Sequence, residues 1–395
     1  MFVVWCLQPM SQSEVRIHPK QHFEILDGLR GVAAMMVVIF HICETWNGGD
    51  HARQIVNHGY LAVDFFFMLS GFVVAYAYDD RWHPKKGQPG MTLWDFFKRR
   101  IIRLQPMLIM GNVLGALLFY QSASPNIFPH VATTSVSRLI LVALIGCTVI
   151  PIPVSMDIRG WQEMHPLAGT AWSLFFEYIA NIAYALGLRR VSNRVLLVLA
   201  AISAAFLTHY LVNTPRGDIT GGWSVNQLEI KIGFLRLCYP FMAGMLLQRM
   251  HKRIHIRNAF LWCSLLLVLT FILPRFGMYA TGWRNGLYEA MVIILVYPVI
   301  VAMGAGEQIR GRVATRLCRF SGAISYPLYI THYALIYIYT AWVYDGKLTP
   351  VQGAEWGAAL FVTAIAIAYA CLKLYDEPVR RWLNRRFLVT GTTTP

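Results

Sequence analysis

The sequence predicts an all-α membrane protein: about ten transmembrane helices, plus one apolar segment that dips into the bilayer without crossing it. Three observations lead there. Of 395 residues, 56% are hydrophobic and 14% charged, with a mean hydropathy of +0.47; soluble domains carry about 25% charged residues. The apolar residues gather in runs near the ~20 residues a spanning helix needs. Lys and Arg fall in short clusters between those runs, as in loops facing anionic headgroups. Too few charges remain to cover a water-facing surface. Disorder, a coiled coil, a disulfide-stapled secreted module and an ordinary cytosolic enzyme are excluded.

Taken in order, the apolar runs lie at about 29–46, 60–78, 104–121, 137–154, 170–187, 194–213, 229–249, 258–275, 286–304, 322–343 and 353–374. The basic clusters decide which of them cross. The first is Arg81/Lys85/Lys86/Lys98/Arg99/Arg100/Arg103, followed by Arg189/Arg190/Arg194 and Arg249/Lys252/Arg253/Arg257. Arg310/Arg312/Arg316/Arg319 and Arg380/Arg381/Arg385/Arg386 complete the set. If every run crossed, the first cluster would face away from the later ones. If 137–154 is re-entrant or peripheral, all the clusters fall on one face with the N-terminal segment. The Ile150-Pro151-Ile152-Pro153 end fits a broken helix. Ten crossings with both termini in the cytoplasm follow.

The formal net charge is +15 and the sequence pI near 9.6. The clusters belong at a membrane surface, so nucleic acid is not an expected partner and membrane lipid is. The seven cysteines are odd in number and scattered, mostly within apolar runs; they read as small core residues, with neither a disulfide framework nor metal-ligand spacing. No metal is expected. The stretch Phe2–Leu7 is too short for a signal peptide, and Met10 is an alternative start. The expected division is a cytoplasmic tail over 1–22, a transmembrane domain over 23–383 and a second cytoplasmic tail over 384–395.

Ionisable residues inside a bilayer are costly and mark function by default. Arg30 sits where the first run enters from the cytoplasm, and His41 lies eleven residues on, ~16 Å deeper at 1.5 Å per residue. Glu177 and His332, on runs far apart in the chain, come to a similar depth, with Ser70 somewhat nearer the cytoplasm. An imidazole, a carboxyl and a second imidazole are thus expected to meet. Each also has a plain structural use: a lone His can bond a neighbouring carbonyl, and Ser70 in Leu69-Ser70-Gly71 can serve close packing. Arg100 and Arg103 stand at i,i+3 and Arg99 and Arg103 at i,i+4, so either pair shares a helix face suited to phosphate. Basic residues at a span edge also arise from topology alone.

The motifs together resemble acyltransferase family 3, the integral-membrane O-acyltransferases. Ile25-Leu26-Asp27-Gly28-Leu29-Arg30-Gly31 with Phe40-His41 is similar to the family's basic-residue, ten-residue spacer, His signature. Val63-Asp64-Phe65-Phe66-Phe67 and Leu69-Ser70-Gly71-Phe72 resemble its second-helix motif, and Arg100-Ile101-Ile102-Arg103 with Pro106 its Arg-x-x-Arg element. Trp172-Ser173-Leu174 with Glu177, Arg236 with Phe241 and Gly244, Ser325-Tyr326-Pro327-Leu328-Tyr329-Ile330-Thr331-His332, and Glu377-Pro378 complete the match over roughly 23–383.

The resemblance implies a cytoplasmic acyl-CoA donor, usually acetyl-CoA. The implied acceptor is a hydroxyl, most often of a carbohydrate or lipid-linked carbohydrate that is surface-bound or exported. His41 is the implied catalytic histidine. Arg30, Arg100, Arg103 and Arg236 are the implied donor-binding residues. A sugar hydroxyl needs a base, and the developing oxyanion needs a hydrogen-bond donor. His41 is expected as the base, with Glu177 or another carboxylate orienting it, as in hydrolase triads. Ser70, Tyr329 or His332 is expected to donate to the oxyanion. A covalent acyl-His or acyl-Ser intermediate stays open, as do the acceptor and the oligomeric state. A macrolide or lipid hydroxyl is the alternative acceptor, and a proton-coupled transporter the alternative class. The loops 122–136, 155–169 and 214–228 are expected to carry the acceptor surface.

Overall fold

The structure, a computed structural model, describes residues 22–84, 90–277, 281–309 and 311–388. Phe2–Leu7, Met10, Lys85, Lys86, Arg310 and the tail beyond Leu388 lie outside the described residues. All the apolar runs form helices. In chain order these are α1 (Glu24–Trp46), α2 (Ala62–Tyr78), α3 (Leu93–Leu117), α4 (Val136–Gly146), α5 (Ala171–Leu186), α6 (Asn193–Asn213) and α7 (Gln227–Arg249). There follow α8 (Ala259–Ile272), α9 (Trp283–Met291), α10 (Tyr297–Gly306), α11 (Arg312–Tyr344), α12 (Pro350–Cys371) and α13 (Glu377–Phe387). One π-helical turn, Val292–Val296, joins α9 to α10, and another, Leu372–Asp376, joins α12 to α13. No strand occurs among the described residues.

Helix ends follow local chemistry. Thr92 and Asp95 form a reciprocal capping box at the start of α3, and Thr349 and Gln352 do the same for α12, where Pro350 fills the first helical position. Six segments are long and apolar enough to cross a membrane: Glu24–Trp46, Gly59–Arg81, Asn193–Asn213, Gln227–Arg249, Trp283–Gly306 and Pro350–Phe387. The expected ten crossings are therefore not all met by length and apolarity. Helices α4, α5 and α8 have 11, 16 and 14 residues, fewer than the ~20 of a full span. Helices α3 and α11 are long enough, but their Arg, Gln, Tyr, Thr and His content keeps them less apolar. The bundle is that of a multi-pass membrane protein.

The 137–154 segment is helical only as far as Gly146, ~16 Å of rise, and Ile150–Pro153 is irregular. Outer helices expose apolar side chains, such as Leu197, Val198 and Phe206 on α6 and Val351 and Val362 on α12; in a bilayer these face lipid. Inner helices pack closely. On α2, a Cβ at Gly71 would overlap the Phe241 carbonyl, and on α7 a Cβ at Gly244 would overlap that of Met68. Only a residue without a side chain lets these two backbones approach so nearly. This contact and that of α1 with α11 frame the centre.

Candidate active site

Two cavities lie at opposite ends of α1. The first, of about 620 Å³, includes Arg30, Ser70, Arg100, Arg103, Glu177, Arg319, Asp376 and Arg380 in its lining. The second, of about 430 Å³, is lined by His41, Glu44 and a set of aromatics including Tyr60, Trp161, Trp172, Trp223, Tyr333 and Tyr344. Val63 and Tyr329 line both. The partition is one side chain thick.

In the arginine cavity nearly every cation has its own carboxylate. Arg30 donates to Asp27 at 2.7 Å, Arg100 to Glu177 at 2.7 Å and Arg319 to Glu24 at 2.5 Å, and Arg380 pairs with Asp376. Charges removed from bulk water are costly unless paired. Arg103 stands apart: no hydrogen bond or ion pair of its guanidinium occurs among the described residues, and it projects openly into the cavity. An unpaired guanidinium beside other cations is a receptor for a doubly charged oxyanion such as phosphate.

In the second cavity His41 Nδ1 lies 2.8 Å from Glu44 Oε2, one turn on along the same helix. A carboxylate only accepts, so Nδ1 carries the proton and Nε2 keeps its lone pair. The His41 ring stacks on His332 with centroids 5.7 Å apart and meets Tyr333 edge-on at 4.8 Å. This is a histidine held in one tautomer by a carboxylate, with the basic nitrogen left free on a ring that lines a cavity.

The chain belongs to the acyltransferase 3 family. Its model, described as an acyltransferase domain, matches residues 23–373. The chain is 36% identical over 203 residues to "Protein 2 in picA locus" of Rhizobium radiobacter, covering 50% of this chain and 96% of that one. It is 24% identical over 386 residues to the peptidoglycan O-acetyltransferase OatA of Listeria monocytogenes, covering 92% of this chain and 57% of that one. With the putative peptidoglycan O-acetyltransferase YrhL of Bacillus subtilis the identity is 23% over 366 residues, 82% of this chain and 50% of that one. The chain thus spans about half the length of these two O-acetyltransferases. No solved structure matches it.

The geometry groups the expected site residues differently from the sequence reading. Two imidazoles do meet, but the expected carboxyl does not join them. Glu177 accepts from Arg100 and, at 2.9 Å, from Ser70 Oγ; it belongs to the arginine cavity, and Glu44 takes the orienting position instead. Counting residues estimates depth along a helix but not which neighbour the side chain faces, and α5 turns Glu177 toward α2 and α3. Ser70, committed to Glu177, is likewise remote from His41. His332 is fully buried and its Nδ1–H donates to the Leu328 carbonyl at 2.8 Å. It therefore has no proton to offer an oxyanion and acts as a support for the His41 ring.

Tyr329 keeps a hydroxyl at the partition, 2.8 Å from Ser173 Oγ. Arg236, expected as a donor-binding residue, is instead engaged within the protein. It is 1% exposed, and its fork is used up by Asp64 (2.8 Å), the Tyr60 carbonyl (2.6 Å) and the Gly221 carbonyl (3.1 Å). It lines the aromatic cavity, not the arginine one. His41, conversely, lines the aromatic cavity and not the arginine one.

Sequence reasoning passed over Glu44, although a carboxylate three residues after a His on one helix is a legible i,i+3 pair. It also missed the loop aromatics Trp161 and Trp223, whose convergence no spacing discloses. Beside the second cavity, Glu163 accepts from Tyr337 Oη at 2.7 Å, and burial pushes its carboxyl up to about 7.

Proposed function

We propose that this protein is an integral-membrane O-acetyltransferase that takes an acetyl group from acetyl-CoA at the arginine-lined end and gives it to a carbohydrate hydroxyl in the aromatic-lined cavity. The observation that carries the proposal is the His41–Glu44 pair in a chamber one side chain away from an arginine-lined one. By the basic-cluster argument the arginine end faces the cytoplasm, and the aromatic chamber opens toward the other face of the inner membrane.

Arg103 takes a phosphate of coenzyme A, with Arg30 and Arg100 adding positive potential. The phosphates stay at that mouth, because hydrocarbon would not solvate them, while the pantetheine arm passes Tyr329 and Val63. A pyranose is held against the aromatic walls through its apolar face. His41 Nε2 then takes the hydroxyl proton as the sugar oxygen attacks the thioester carbonyl. Glu44 stabilises the imidazolium that forms, and the Tyr329 hydroxyl, turning away from Ser173 Oγ, donates to the tetrahedral oxyanion. Collapse breaks the C–S bond. The thiolate leaves and takes the proton from His41, so the products are a sugar ester and free coenzyme A.

The test is transfer of labelled acetyl from acetyl-CoA in membranes holding the protein, with mass spectrometry of surface polysaccharide from cells with and without it. Absence of both acetyl-CoA consumption and O-acetyl loss would reject the proposal.

A further inference from the structure

We infer that His51 is a positioning residue for this reaction: a second imidazole that clamps Glu44 so that the carboxylate stays on His41. The inference rests on the acyl-transfer reading above and assigns a residue that reading does not use.

His51 opens the short turn His51–Arg53 that follows α1. Its Nε2 lies 2.9 Å from Glu44 Oε1, the oxygen that His41 does not take. The carboxylate accepts, so Nε2 carries the proton. The other ring nitrogen, Nδ1, is buried without a hydrogen-bond partner among the described residues. The ring has no room to turn, because it sits against Phe40 and Tyr60, each with its centroid 5.2 Å away.

His51 therefore holds the Glu44 oxygen that His41 leaves free. A residue without a donor would leave Glu44 free to rotate into the cavity and desert His41. Among the described residues, the other titratable or charged groups around this pair include His332, Tyr333 and Tyr344 on α11, Tyr60 with its partner Glu289, His58, the Asp50–Arg53 pair and the Arg236–Asp64 ion pair.

The experiment uses the full chain in detergent with two variants. His51→Phe keeps the ring packing and removes the donor, whereas His51→Gln retains an N–H. Diethyl pyrocarbonate, which modifies neutral imidazole, is applied across a pH series, and mass spectrometry of the His41 peptide gives the midpoint. For His51→Phe the midpoint falls by about half a pH unit or more, because a histidine deprived of its carboxylate holds its proton less firmly. Its kcat drops about tenfold while KM for acetyl-CoA stays within about twofold. His51→Gln recovers most of both.

An unmoved midpoint in His51→Phe, or a His51→Gln protein as impaired as His51→Phe, overturns the inference. Should His51→Phe not fold, His51→Asn, too short to reach Glu44, replaces it, and a wild-type midpoint there is equally decisive. If the wild-type protein consumes no acetyl-CoA, the proposed activity fails. The labelling midpoint still decides the role of His51.

Discussion

The two chambers handle charge in opposite ways. Around the arginine cavity four guanidiniums are matched to four carboxylates, and Arg103 is left over. Around the aromatic cavity Arg236 is locked to Asp64, while Glu44 holds His41 on one oxygen and His51 on the other, leaving His41 Nε2 free. The first arrangement suits a permanent anion and the second a proton transfer, as the proposed function requires. In each, the proposed functional group is the one the protein leaves unsatisfied, since a buried polar group without a partner is costly.

Substitutions on either side of the partition test that contrast. The largest effect is expected from His41→Ala. Loss of a positioned base costs about 10²–10⁴ in rate, measured as acetyl transfer in membranes with the protein still inserted. Next, Arg103→Ala removes a hydrogen bond to a charged group, worth about 1.5–3 kcal/mol. KM for acetyl-CoA should rise by one to two orders of magnitude with kcat changed far less; a kcat effect alone would mean the arginine does not hold the donor.

Glu177→Gln separates the chambers most sharply. It strips the nearly buried Arg100 of its counter-charge and should destabilise the protein by about 3 kcal/mol, read by thermal unfolding in detergent. The pH–rate profile should stay where it is, because Glu177 does not touch His41; a shifted acid limb would restore the orienting role to Glu177. Trp223→Ala should raise the acceptor KM severalfold while leaving acetyl-CoA hydrolysis alone.

The smallest effect concerns Glu163. Its carboxyl is raised from 4.5 to about 7 by burial, so it binds a proton more tightly folded than unfolded. The stability this confers is present below its unfolded value and fades as pH climbs through about 7. Wild-type protein should therefore lose some thermal stability between about pH 5 and pH 8 that Glu163→Gln, which stays neutral, does not lose.

Much of the helical organisation was legible because apolar period and run length act locally. Every run became a helix, and the Pro-containing end of 137–154 was irregular as its residues require. The chamber assignments were not legible. Glu177 looked like a partner of His41 at one depth, yet the rotation of α2 and α5 about their axes turned Glu177 to Arg100 and Ser70 to Glu177. Arg236 looked like a phosphate ligand, yet the turn at Gly221 and the start of α2 enclosed it. Tyr329 was singled out, but its place between two cavities depends on how α11 crosses α5.

The amino-acid order alone determined a helical membrane protein of a recognisable family, with a histidine on the first helix and paired arginines on the third, because hydrophobic burial and helical period are written residue by residue. Which carboxylate serves the histidine, which arginine remains unpaired and where the partition stands were decided only in three dimensions. Those depend on the azimuth of each helix, and azimuth is set by close contacts such as Gly71 on Phe241 between residues far apart in the chain.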